Sequence, residues 1–107
     1  MKLPKGFGGQ GFQGMMQQAQ AAMARAQTLE AELATERIDI DKGPVKAIMN
    51  GVGELVAIKI DPAAIDPEEI DMLEDLIVSA VRDGFAQATQ MRAERVEQIT
   101  KASGLNI

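Results

Sequence analysis

The sequence predicts an α+β fold in which a helix, a three-stranded antiparallel sheet and a second, longer helix follow one another. Three observations predict it. Between Gly14 and Thr35, apolar residues recur at three- and four-residue spacing. From Glu36 to Ile60 the recurrence shortens to every second residue and is broken twice by turn chemistry. After Asp66-Pro67 the longer spacing returns and persists to Lys101. A helix brings residues to one face about every 3.6 positions and a strand about every 2, so the change of period marks the change of element.

Residues 1–13, with Pro4 and several glycines, read as a flexible arm ahead of a single domain over residues 14–101, with 102–107 a short tail. In the first helix Met16, Ala19, Met23, Ala26, Glu30 and Leu33 follow the helical spacing, beside Met15, Ala22 and Leu29. The stripe is small and soft, and six glutamines between Gln10 and Gln27 flank it without charge. Such a helix suits close packing against another helix, and equally suits an ordinary core-facing role. The first strand lies in Glu36–Asp41, with Ile38 and Ile40 on one face, and Asp41-Lys42-Gly43-Pro44 forms the first turn. Val45, Ala47 and Met49 alternate with Lys46 and Ile48 in the second strand. Asn50-Gly51 is a hairpin signal because both residues tolerate positive φ, and Gly53 points to a longer loop or a bulge. Leu55–Ile60 closes the sheet, with Val56, Ile58 and Ile60 on one face and Leu55, Ala57 and Lys59 on the other.

The second helix starts with Asp66 as cap, Pro67 in the first turn and Glu69 three residues after the cap. Its stripe is Ile70, Leu73, Ile77, Ala80, Gly84, Ala88 and Met91, widened by Leu76, Val81 and Phe85. Gly84 costs about 1 kcal/mol relative to alanine unless close packing requires it. A helix from Pro67 to Lys101 is about 50 Å long, whereas a six-residue strand reaches only about 20 Å. The sheet cannot cover both helices, so their stripes call for a second copy of the chain. Met16, Met23, Phe85 and Met91 are the candidate dimer contacts.

Composition narrows the chemistry. With 107 residues and 46% apolar content the chain is one small domain, and no stretch has the roughly 20 apolar residues of a membrane span. The N-terminus lacks a signal-peptide core, so the expected location is the cytoplasm. There is no Cys and no His, which removes thiolate catalysis, Cys-based zinc sites and the commonest general base. The two serines, Ser79 and Ser103, have no base to activate them. Trp and Tyr are also absent, leaving three phenylalanines as possible base-stacking platforms. The composition argues against an enzyme, and no cofactor or small-molecule substrate is expected.

Charge is segregated within the net −5. Residues 1–29 carry Lys2, Lys5 and Arg25 without an acid, and residues 60–75 carry seven acids without a base. Residues 30–59 are −2 and residues 76–107 are +1. Acids in the first turns of the second helix complement its dipole and lack the alternating pattern of an EF-hand, so no metal is expected. Gly51-Val52-Gly53 lacks the third glycine of a dinucleotide loop and leads into a strand. Arg92 and Arg95, three apart on the second helix, could neutralise phosphates or simply complement the C-terminal dipole. Lys101 has Glu97 four residues before it. Lys2 and Lys5 would suit either a mobile phosphate contact or a solubilising tail.

The segments MMQQAQ, NGVGELVAIKIDP and LEDLIVSAVRDGFAQA, in this order and over nearly the whole chain, resemble the YbaB/EbfC family of bacterial nucleoid-associated proteins. The resemblance implies an α-β-β-β-α protomer and an intertwined homodimer that binds double-stranded DNA, affecting nucleoid organisation and gene expression. Its motif residues fall on scaffold: Asn50, Gly51 and Gly53 in the hairpin, Asp61-Pro62 after the last strand, Leu73 and Leu76 in the core. Where relatives carry lysines in the first helix, this chain has Gln17 and Gln18. The candidate DNA contacts are Lys2, Lys5, Arg25, Arg92, Arg95 and Lys101. The alternative is a protein-interaction adaptor or chaperone-like dimer using its Ala/Met-rich helical surface, since methionine adapts to varied partners.

Overall fold

The structure, a computed structural model, describes residues 10–102. Helix α1 spans Gln10–Thr35, strands β1, β2 and β3 span Ile38–Lys42, Val45–Met49 and Leu55–Ile60, and helix α2 spans Ile70–Ala102. Two single 3₁₀ turns, Pro62–Ala64 and Pro67–Glu69, join β3 to α2. The α+β class and the α-β-β-β-α order read from the sequence are those of the molecule. The α1 helix starts four residues earlier than the spacing suggests, because Gly11 and Gly14 weaken helical propensity without forbidding it. The chain divides into two compact units, Met1–Glu30 and Ala31–Ile107. In the first, residues 11–28 of α1 are exposed throughout. The second contains the last turn of α1, the sheet and α2.

The sheet has strand order β1-β2-β3, antiparallel throughout. Ile38 and Ile40 pair with Met49 and Ala47, while Val45 and Ala47 pair with Ile60 and Ile58. These residues form the inner face, where α2 packs across β1 and β2. Lys46 pairs with Asp41 on one side and Lys59 on the other, on the outer face. A register shift at Ile48/Met49 supplies the bulge that Gly53 foreshadows.

The β2–β3 loop is organised by one side chain. Asn50 is buried, and its Oδ1 accepts hydrogen bonds from the Val52 and Glu54 amides at 3.1 and 3.0 Å. Its Nδ2 donates to Glu54 Oε1 at 2.9 Å. The positive φ expected at Asn50-Gly51 is not there; among the described residues only Gly43 and Gly53 have it, at 77° and 89°. The loop runs longer than a two-residue turn, so Asn50 spends its side chain on capping and the left-handed residue moves to Gly53. Gly51 is needed for a different reason. Its amide donates to the Leu33 carbonyl at 2.8 Å, and an added Cβ would lie 2.8 Å from that same oxygen.

Two aspartates shape the approach to α2. Asp61 Oδ1 accepts from the Ala63 amide at 3.0 Å, and Asp66 Oδ1 from the Glu68 amide at 2.9 Å. Each precedes a proline, whose fixed φ and missing N–H suit the start of a helical turn. Asp66 caps as the sequence suggests, but the chain makes a 3₁₀ turn before it settles into α2.

The core consists of Ile38, Ile40, Val45, Ala47 and Met49 from the sheet with Ala80 and Ala88 from α2. Leu73, Leu76, Ile77, Met91 and Ile58 pack at its edge. Ala80, Gly84 and Ala88 recur every four residues on the buried face of α2 and let the helix approach closely. A Cβ at Gly84 would overlap the Met49 sulfur and stand 3.4 Å from Ile40 Cγ1. Gly84→Ala should therefore destabilise by about 1 kcal/mol in denaturant titrations, because overpacking outweighs the gain in helix propensity. In a Met49→Ala background the same change should become neutral or stabilising, a coupling that an independent helix defect would not show.

Candidate nucleic-acid interface

A surface that accepts a polyanion needs exposed cations, including ones whose partners within the chain leave donors for a phosphate. Among the described residues, four cations form ion pairs as follows. Arg95 Nη2 donates to Glu36 Oε1 at 2.7 Å, linking α2 to the segment between α1 and β1. The hydrogen bond to Glu36, reinforced by its charge, raises the Arg95 pKa. Lys42 Nζ lies 2.5 Å from Asp83, bridging β1 to α2. Arg37 pairs with Asp39 at 3.1 Å, and Lys101 with Glu97 at 3.1 Å one helical turn away.

The sequence-derived contact residues fall into different settings. Lys2 and Lys5 lie outside the described residues. Arg25 is exposed on α1 in the first unit, and Arg92 is half-buried on α2; each has an interaction within the chain. Arg95 lies three residues beyond Arg92 but is partly committed to Glu36, and Lys101 is paired yet exposed. Two cations that the sequence reading did not single out, Lys46 and Lys59, stand together on the outer sheet face. Their proximity was available from hairpin register, since alternation places both opposite the apolar face.

The apolar surface is divided unevenly. Of the candidate dimer contacts, Met16, Met23 and Phe85 are exposed, the last by 58%. Met91 instead packs against the chain's own core. The helix α2 packs on β1 and β2, and β3 carries Ile60 exposed on the same inner face, while Val56, which has no register partner at the bulge, is exposed as well. Ile65, Ile70, Met72 and Val78 are exposed as well. Among the described residues no His, Cys, Asp or Glu group could hold a metal ion, and no helix is long and apolar enough to cross a membrane.

The Arg95–Glu36 bond implies a structural part for Arg95. Arg95→Ala and Glu36→Ala should each lower Tm by similar amounts, with little further loss in the double variant. Arg82→Ala, at an exposed position without an ion pair among the described residues, should leave Tm unchanged.

Comparison with known proteins identifies the scaffold. Residues 8–103 match the model of the YbaB/EbfC DNA-binding family. A nucleoid-associated protein of Syntrophobacter fumaroxidans is 38% identical over 94 residues, covering 86% of this chain and 84% of its own. One from Moorella thermoacetica is 42% identical over 88 residues, with 80% and 85% covered. One from Saccharopolyspora erythraea is 39% identical over 100 residues, with 91% and 86% covered. The crystal structure of an uncharacterised Helicobacter pylori protein shares the fold, with a TM-score of 0.65 at 21% identity over 82% of this chain and 91% of that one. From its helix-sheet-helix order to its sequence, the chain belongs to the YbaB/EbfC family of nucleoid-associated DNA-binding proteins.

Proposed function

We propose that the protein acts as a homodimer that binds double-stranded DNA through its phosphate backbone, affecting nucleoid organisation and gene expression in the cytoplasm without catalysing a reaction. The observation that carries this reading is the family match across residues 8–103. The cations support backbone contact over base reading: they are lysines and arginines dispersed over helices and sheet, and α2 opens with acids rather than groove-reading side chains. Arg25, Arg92 and Arg95 are the proposed phosphate contacts of the helices, assisted by Lys2, Lys5 and Lys101.

Dimerisation answers the geometry of the second unit. One helix about 10 Å wide covers roughly two strands spaced about 4.8 Å apart, which leaves the third without a roof. Val56, Ile60 and Phe85 are the surface of this unit that a second copy would cover, and Met16 and Met23 are the candidate contacts of α1 in the other. The exposed methionines of α1 also suit an adaptor role, which would need no DNA.

DNA titrations at several salt concentrations test the reading. Affinity for unrelated duplexes should be similar and should fall by orders of magnitude from about 50 to 200 mM salt. Arg25→Ala with Arg92→Ala should weaken binding to all of them alike. Absence of binding at low salt would favour the adaptor, and loss confined to one sequence would indicate base readout. Sedimentation should give a dimer for the parent, and Val56→Asp should give a folded monomer because Val56 is 64% exposed in the protomer.

A further inference from the structure

We infer that Lys46 and Lys59 form a phosphate-binding pair on the outer face of the sheet, separate from the cations of the helices. The inference rests on the DNA-binding reading above and assigns it an additional surface. Lys46 and Lys59 are direct cross-strand partners on β2 and β3. Such residues have Cβ atoms about 4.5–5.5 Å apart, and like charges so placed destabilise a sheet. Both side chains are exposed, and among the described residues neither has an ion pair.

Three acids lie nearby, and each has a partner other than these lysines. Asp39 is paired with Arg37, Asp41 Oδ1 accepts from the Gly43 amide at 2.9 Å, and Asp61 Oδ1 accepts from the Ala63 amide. Asp41 is Lys46's other register partner, yet it forms no ion pair with it. Two depressions of about 290 and 340 Å³ adjoin the pair. The first extends toward Arg37 and Ile48, the second toward Pro44 and Asp61.

A rigid hairpin thus fixes the stems of two ammonium groups side by side, and their flexible ends can close on one phosphate between them. A phosphate would also relieve the repulsion that the pair imposes on the empty sheet. Lysine is a compact point charge without a planar fork, which suits a backbone phosphate of the duplex. A second copy placed over the inner face leaves this outer face open.

The test is Lys46→Gln with Lys59→Gln, which keeps most of each stem and removes both charges. Binding to a random-sequence duplex is followed by fluorescence anisotropy from 50 to 300 mM salt, with thermal unfolding in parallel. Losing one shared phosphate should weaken binding about tenfold at 0.1 M salt and make the slope of log K against log salt shallower by about 0.9. Tm should stay the same or rise, because a like-charge pair has been removed. An unchanged affinity and slope, with the parent protein still binding, would overturn the assignment of this pair alone. A parent protein that binds no DNA at low salt would overturn the DNA reading and this inference with it.

Discussion

The closeness of α2 to β1 and β2 governs the rest of the structure. Ala80, Gly84 and Ala88 present almost no side chain, so Met49 and Ile40 can reach up to the helix itself. A helix seated this deeply is held over two strands and cannot also spread over the third. Leu73, Ile77 and Met91 extend the contact along its length, and β3 keeps Ile58 at the core's edge but is left with Val56 and Ile60 exposed. Tight packing on β1 and β2 and exposed apolar residues on β3 are thus two consequences of the same small residues. The family's association with the nucleoid is built on a scaffold whose chemistry is all packing and charge.

The acidity of the chain has a local explanation. Asp41, Asp61 and Asp66 each accept a backbone N–H at a turn, and Glu36 and Asp83 hold cations of other elements. Acids in the first turns before and within α2 complement its dipole. Much of the negative charge therefore serves the fold. It is also concentrated between residues 60 and 75, away in sequence from Arg25 and Arg92. Screening over about 10 Å at 0.1 M salt lets a cationic patch act on a phosphate despite a net charge of −5.

Elements ruled by local physics were legible in the sequence. Alternation placed β2 and β3 at the residues where they occur, and Asp66-Pro67 marked the turn into α2. What escaped depends on residues far apart in the chain. Gly51 is required by the Leu33 carbonyl rather than by its own φ, and Arg95 meets Glu36 59 positions away. Phe85 looked like a widening of the core stripe, but its ring lies against the Gly53 loop and stays 58% exposed. The Lys46–Lys59 pair was hidden differently, because charge summed by segment averages them with acids that the fold has already engaged. Family resemblance was legible from the hairpin and α2, although the residues carrying it are mostly scaffold.

The central claim is that duplex DNA meets cations of the sheet and helices and avoids the acidic start of α2. Amide chemical shifts of isotope-labelled protein, recorded while a short duplex is added, test it most directly. Perturbations are expected around Lys46 and Lys59, around Arg25, and in the last third of α2 near Arg92. Residues 66–75 should remain unchanged. Shifts centred on those acidic residues, or confined to the methionines of α1, would contradict it.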